Sequence, residues 1–267
     1  MKEKINVLFI GDIVGEAGIN IVKSYLPELK DKYQSDFIIA NGENADKGKG
    51  ITKREADMLF ELGINVITSG NHVWDNWSSK PLLAENPNVL RPFNYPAGNV
   101  GMGYVVQEKE DFNICVLNIQ GRTFMQPIDC PFKAADFVIK TVSDKTNIII
   151  VDFHADATAE KMALGWYLDG RVSAIIGTHT HIPTSDCSIL PKGTAYITDV
   201  GMTGSYDSVV GMKKEQALKR MLLQIPHKYE VASEDCRICG VNVTLDISSG
   251  LAESIEQFIL PKFENGK

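Results

Sequence analysis

Residues 7–12 read VLFIGD, an apolar run that stops at a glycine and an aspartate. Four later stretches have the same form, namely FIIANGEN at 37–44, INVITSGNH at 64–72, IIIVDFH at 148–154 and IIGTHTH at 175–181. Short runs of β-branched and aromatic residues that end at turn-forming residues indicate buried parallel strands followed by loops. Five such strands, separated by segments with helical periodicity, predict an α/β fold.

The residues at these strand ends are of the types that bind metal ions. They are Asp12, Glu43, Asn44, Asn71, His72, His154, His179 and His181. In open α/β sheets, sites lie outside the carboxyl ends of the strands, so these side chains are expected to meet. A lone histidine is more often a hydrogen-bonded structural residue, which is how we interpret His227. Five strand ends that together supply His, Asp, Glu and Asn instead predict a two-metal hydrolase.

The order of the short motifs points to a known family. GDIVG (11–15), GEN (42–44), GNH (70–72), FHAD (153–156) and GTHTH (177–181) follow one another as in the calcineurin-like metallophosphoesterases. Two departures are Val14, where the family usually has histidine, and Glu43 with Asn44, where it usually has aspartate. With these departures, and with longer stretches such as NGENADKGKG, DFHADATAEKMALGWYLDGR and LPKGTAYITDVGMTG, the chain resembles the YmdB-like bacterial cyclic-nucleotide phosphodiesterases.

This resemblance implies a site with two divalent metal ions, of which iron is the first choice and manganese or zinc the alternatives. The implied ligands are Asp12, Asn44 and His181 for one ion, Asn71, His154 and His179 for the other, and Glu43 as the bridge between both. Asn44 would replace the histidine missing at Val14. His72, next to a ligand but not assigned to a metal, is the candidate general acid. His179 and His181 are predicted to face the same way because alternate residues of an extended segment do.

The implied reaction is hydrolysis of 2′,3′-cyclic, and also of 3′,5′-cyclic, nucleotides by a metal-bridging hydroxide. Two divalent cations, set against Asp12, Glu43 and the hydroxide, leave a net charge of about +1, which matches a monoanionic phosphodiester. Arg122, Thr180 and a predicted loop from Gly201 to Tyr206 are candidates to contact the substrate. A phosphomonoesterase or nucleotidase on the same site, and a regulator that binds a nucleotide without turnover, stay open as alternatives.

The resemblance also implies the architecture. We expect two packed mixed β-sheets flanked by helices, a four-layer αββα sandwich, in a single domain that spans residues 1–267. VNVTLDI, the turn SSG and AESIEQFIL predict a C-terminal hairpin at about 240–260 that completes the second sheet. A dinucleotide-binding loop at GDIVGEAG is excluded because Ile13 stands where glycine is needed. A triphosphate-binding loop at 42–50 is excluded because Gly50 stands where serine or threonine binds magnesium.

The composition of the chain limits the classes of partner that it is expected to bind. The formal net charge of −7 argues against binding of long nucleic acid, which depends on a basic surface. No apolar run reaches 18 residues and the N-terminus has no signal-peptide pattern, so we expect a cytoplasmic protein without a membrane partner. The five scattered cysteines do not resemble a disulfide framework. The sequence leaves open whether the chain forms a homo-oligomer.

Overall fold

The structure is a computed structural model, and it describes residues 2–226 and 228–263. His227 lies outside the described residues. The strands are β1 (Lys4–Ile10), β2 (Asp12–Ile13), β3 (Phe37–Asn41), β4 (Val66–Thr68), β5 (Tyr104–Glu108), β6 (Asn113–Gln120), β7 (Ile149–His154), β8 (Ala174–Thr178), β9 (Ser188–Ile189), β10 (Ala195–Ile197), β11 (Met202–Ser205), β12 (Cys236–Asp246) and β13 (Ala252–Leu260).

The helices lie mostly where helical periodicity predicts them. They are α1 (Gly15–Tyr33), α2 (Lys53–Glu61), α3 (Ser79–Glu85), α4 (Pro131–Val142), α5 (Thr158–Leu168) and α6 (Lys214–Leu223), with a short 3₁₀ helix at Asn71–Trp74. Helix α2 begins with a capping box between Thr52 and Glu55, in which the Thr52 backbone N–H donates to the Glu55 carboxylate at 3.2 Å. In the part of the chain that the structure describes, no helix is long and apolar enough to cross a bilayer.

The strands form two mixed sheets, as the fold prediction requires. The first has the order β2-β11-β12-β1-β3-β4, with β13 paired to β12, and the second has the order β5-β6-β7-β8-β10-β9. Strands β1, β3 and β4 are parallel, and so are β6, β7 and β8. Within each sheet the carboxyl ends of these strands lie at one edge, and the hydrogen bond from Asn41 in β3 to Asp152 in β7 brings the two edges together.

Three apolar cores separate the layers. In β1, Val7 and Phe9 pack between the two sheets, whereas Leu8 and Ile10 pack against the helices on the outer face of the first sheet. In β7, Val151 belongs to a third core under α4 and α5. Strands buried on both faces read as continuous apolar runs, which is the pattern of the sequence stretches that predicted them. The layer order is helix, sheet, sheet, helix, so the predicted αββα architecture is confirmed.

The C-terminal hairpin departs from the prediction. Strands β12 and β13 form it, but β12 pairs antiparallel with the whole length of β1, from Lys4↔Asp246 to Ile10↔Gly240. It therefore extends the first sheet, not the second. An alternating strand specifies which of its faces is buried, but not which free edge it joins, and the open edge of β1 lies beside it.

Candidate metal centre

Three strands place polar side chains in the layer between the sheets. In β7, Asp152 and His154 follow Ile150, which packs in the core between the sheets, at intervals of two residues. Because alternate residues of a strand face the same side, both point into this layer. Asn41 at the end of β3 and Thr178 at the end of β8 have the same orientation relative to that core. The apolar core between the sheets thus ends in a polar layer. Its four side chains, those of Asn41, Asp152, His154 and Thr178, are all buried.

Two groups of potential ligands lie beyond this polar layer. In each group the ligand atoms all lie within 4.8 Å of one another, and the groups are Glu43 with His154 and His179, and Asp12 with Glu43 and His181. Glu43 belongs to both groups and is fully buried. A carboxylate shared in this way is positioned to bridge two ions.

The first group is centred on Nε2 of His154. This nitrogen lies 3.3 Å from Oε1 of Glu43, 3.2 Å from Oδ1 of Asn71 and 3.0 Å from Nδ1 of His179. Two ring nitrogens and two oxygens that converge at these distances require a proton or a cation among them. The structure therefore brings Asn71 to the position beside His154 that the motif order implies.

The second group contains His181 and Asn44. Nδ1 of His181 lies 2.9 Å from the Val210 carbonyl and donates to it, which leaves Nε2 free to face the group. Nε2 is 3.2 Å from the amide nitrogen Nδ2 of Asn44, which also donates to Oε1 of Glu43 at 3.1 Å. Asp12 completes the group, and its Oδ2 accepts a hydrogen bond of 3.2 Å from the His179 backbone N–H.

A chain of hydrogen bonds orients His154. The Thr178 hydroxyl donates to Oδ1 of Asp152 at 2.7 Å, so it accepts from Nδ1 of His154 at 2.9 Å. This assignment places a proton on Nδ1 of His154 and leaves Nε2 facing Glu43. Imidazole ligands of metals characteristically donate their other nitrogen to such a partner. Asp152 and Thr178 were not predicted as site residues, although a carboxylate within the apolar run IIIVDFH is a usable signal.

The segment 178–181 is not extended, contrary to the prediction for His179 and His181. Both residues have positive φ, 101° and 66°. Buried groups hold this conformation: the Lys161 ammonium donates to the Thr178 carbonyl and to Asp199, each at 2.7 Å, and Asp199 accepts from the Thr180 backbone N–H at 3.0 Å. Backbone strain of this kind persists where the surroundings over-determine it, and it concentrates at functional sites.

The electrostatics of the site call for additional positive charge. Burial opposes the charged form of His154, but the carboxylates of Glu43 and Asp12 outweigh it and raise the pKa of His154 to about 9. Burial raises the pKa of Asp12 well above its usual range. Burial and the neighbouring His154 lower the pKa of His179 to about 3. Burial thus disfavours the charged form of Asp12, and the charge of Glu43 lies beside the His154 imidazolium, so bound cations would stabilise both carboxylates.

Oδ1 of Asp12 is a buried oxygen atom that a cation could bind. Within the described residues, nothing donates a hydrogen bond to Oδ1 of Asp12, although the atom is buried. A buried acceptor without a partner costs free energy unless something else binds it. Asp12 belongs to the group formed with Glu43 and His181, so the donor set fits a metal ion.

The surroundings of Gly70 and His72 explain why the GNH motif has glycine and histidine at these positions. A Cβ atom on Gly70 would lie 2.2 Å from the His154 ring and 2.4 Å from Oε2 of Glu43, so only glycine fits there. The His72 ring is partly exposed, and its Nδ1 lies 2.7 Å from Oδ1 of Asn44. Its backbone N–H donates to Oε2 of Glu43 at 3.2 Å. His72 therefore lies at the rim of the site, beside both groups.

The candidate substrate-contacting residues have different surroundings. Arg122 is exposed, on a loop that follows β6. Thr180 lies on the strained segment between His179 and His181. Residues 202–205 are not a loop but strand β11, which is buried and pairs with β2 and β12. The Tyr206 hydroxyl lies 2.7 Å from Sγ of Cys239, so that side chain has a structural role.

Comparison with known proteins identifies the family. A family model described as YmdB-like protein matches residues 8–258. The chain belongs to the YmdB-like family. The family predicted from the motifs is thereby confirmed. Among its YmdB-like relatives, the 2′,3′-cyclic-nucleotide 2′-phosphodiesterase of Bacillus subtilis (strain 168) is 46% identical over 254 residues, which are 95% of this chain and 96% of that protein.

Two crystal structures are also similar over nearly the whole YmdB-like chain. A novel phosphatase from Mycoplasma pneumoniae has a TM-score of 0.92 and 35% identity, and the match covers 97% of this chain and 94% of that one. A hypothetical protein from Thermus thermophilus has a TM-score of 0.89 and 42% identity, and the match covers 96% of this chain and 98% of that one.

Proposed function

We propose that this protein hydrolyses cyclic-nucleotide phosphodiesters, with 2′,3′-cyclic nucleotides as its principal substrates and 3′,5′-cyclic nucleotides as a second class. The observation that carries the proposal is Glu43, which is shared between two groups of buried ligand atoms. The 46% identity to a 2′,3′-cyclic-nucleotide 2′-phosphodiesterase over 95% of the chain supports the substrate class.

Seven side chains would hold two divalent ions: Asp12, Asn44 and His181 for one, Asn71, His154 and His179 for the other, and Glu43 for both. Such ions supply a water of lowered pKa and positive charge beside the phosphate oxygens. The donors are oxygen and nitrogen atoms without a thiolate, which favours iron, manganese or zinc over a soft metal. Only two of the seven are carboxylates, so the loaded site keeps enough positive charge to attract a monoanionic diester.

Asn44 contacts both the second group of ligands and His72. Ligation requires the amide oxygen of Asn44 to face the side of His181, because an amide NH₂ group cannot bind a cation. In the structure the NH₂ group faces Glu43 and His181, at 3.1 and 3.2 Å, and Oδ1 faces Nδ1 of His72 at 2.7 Å, so ligation would require the amide to turn over. To act as a general acid, His72 would have to be the imidazolium, which gives up its Nε2 proton and remains as neutral imidazole. Nε2 has no hydrogen-bond partner within the described residues, so it is available to protonate the departing ribose oxygen.

The test is a substrate panel on protein purified without added metal and analysed for its metal content. We expect two metal ions per chain and the highest kcat/KM on 2′,3′-cyclic nucleotides, compared with linear diesters and monoesters under the same conditions. The Glu43→Gln variant, purified in parallel, controls for contaminating phosphatases. A preference for dianionic monoesters would instead indicate a nucleotidase. Nucleotide binding without turnover at full metal content would indicate a regulator.

A further inference from the structure

Phe124 combines two features that folding does not explain. Its side chain is 86% exposed, and its backbone has a φ of 61°. Positive φ is unfavourable for a bulky residue. An exposed aromatic ring also lacks the favourable free energy of burial. Glycine or asparagine would suit this backbone better. A residue that is unfavourable in both respects calls for a reason other than folding.

The position of Phe124 suggests that reason. The ring lines a cavity of about 370 Å³ together with Met125, Gln126 and two residues of the candidate metal centre, Asn71 and His179. The cavity is therefore the space immediately in front of one group of ligands. A substrate whose phosphate contacts those ligands can place its base in this cavity, beside Phe124.

The loop that carries Phe124 is anchored to the site. The Gly121 backbone N–H donates to the His154 carbonyl at 2.9 Å, which connects the start of the loop to a candidate ligand. The backbone N–H groups of Arg122 and Thr123 donate to the buried carboxylate of Glu160 at 3.2 and 3.0 Å. These bonds hold the segment that leads to the exposed tip, so the ring is presented at a defined place.

We propose that Phe124 is the platform on which the nucleobase of the substrate stacks. This inference rests on the proposed cyclic-nucleotide function and names the residue that recognises the base. Every base has a π-face, and stacking on an exposed aromatic ring is tolerant of base identity. The phenyl ring cannot read hydrogen-bonding edges, so purines, which have the larger face, bind more tightly than pyrimidines.

The test compares a substrate with and without a base. We expect Phe124→Ala to raise KM for adenosine 2′,3′-cyclic phosphate about tenfold, with kcat little changed. KM for the 2,3-cyclic phosphate of methyl riboside, which has no base, stays the same. Phe124→Tyr restores the adenosine value. Phe137→Ala, which removes another exposed phenyl ring from α4, is the matched control and leaves both substrates unaffected.

Two further variants separate the stacking role of the ring from effects on stability and on turnover. Phe124→Gly suits the positive φ, so its Tm is expected to be no lower than that of the unmodified protein, while its KM changes as in Phe124→Ala. Phe124→Trp reports binding directly: its added fluorescence is quenched by adenosine 3′-monophosphate but not by ribose phosphate.

Three results would overturn the inference: an equal KM increase for the base-free substrate, an unchanged adenosine KM, or an unquenched Phe124→Trp. If the unmodified protein hydrolyses no cyclic nucleotide, the proposed function fails. The fluorescence measurement then decides the stacking role by itself.

Discussion

Asn41 in the first sheet donates a hydrogen bond of 2.9 Å to Asp152 in the second. Asp152 also accepts from Thr178, whose hydroxyl accepts from the His154 ring. One buried carboxylate thus connects the packing of the two sheets with the orientation of a candidate metal ligand. Burial raises the pKa of Asp152 to about 6, so its charge depends on these donors.

Asp152→Asn is expected to weaken metal binding without unfolding the protein. The new amide would point its NH₂ group at the NH₂ group of Asn41, and one of the two hydrogen bonds would be lost. Changes to residues that orient ligands typically reduce metal affinity about 10–100-fold. Calorimetric titration with Mn²⁺ measures the change. Asp186→Asn, in which a carboxylate that accepts from the Thr198 hydroxyl is altered away from the ligands, is the control. Equal Mn²⁺ affinities for the two variants would show that the hydrogen bonds from Asp152 through Thr178 to His154 do not orient a metal ligand.

Glu43→Gln is expected to be more damaging than Asn44→Ala. Glu43 belongs to both ligand groups and is one of two ligand carboxylates, so its loss leaves two cations with less compensation. We expect elemental analysis to find fewer than two ions per chain in Glu43→Gln, and activity to fall by more than the roughly 10–100-fold seen when an orienting residue changes. Small effects of similar size in both variants would show that Glu43 does not bridge.

His72→Ala is expected to keep both metals and lose turnover in a way that depends on the leaving group. A general acid typically contributes about 10²–10⁴-fold. That loss should appear with a cyclic nucleotide, whose ribose alkoxide needs a proton, and be much smaller with a nitrophenyl diester. Parallel measurement of kcat on both substrates, with metal content checked, decides the role. Equal losses would make His72 a phosphate-binding residue.

Metal affinity is expected to rise with pH. In the metal-free protein the pKa of His154 is about 9, raised by Glu43 and Asp12 against the effect of burial, so at pH 7 the ring carries a proton that a metal must displace. The apparent association constant should therefore increase roughly tenfold per pH unit between about pH 6 and 8 and level off above pH 9. Titration calorimetry in buffers of different ionisation enthalpy measures the proton released. A pH-independent constant without proton release would show that His154 is not a ligand.

Local sequence determined much of this protein. The alternation of Ile5, Val7 and Phe9 with Leu8 and Ile10 specifies a strand buried on both faces, and Thr52 with Glu55 specifies where α2 begins. The short motifs place every candidate ligand at a strand end, where a parallel sheet brings them together. These features depend on residues a few positions apart, and such interactions are readable from the chain itself.

Tertiary structure decided what depends on distant residues. The β12–β13 hairpin carries no local mark of which sheet it joins, because any free edge offers the same backbone hydrogen bonds. His179 and His181 have positive φ in a segment that is hydrogen-bonded to Lys161 and Asp199, which are distant in sequence. Asp152 and Asn41 are 111 residues apart in sequence, and they come into contact through the packing of the two sheets. In each case the stabilising contact comes from another element, so the local sequence was compatible with more than one outcome.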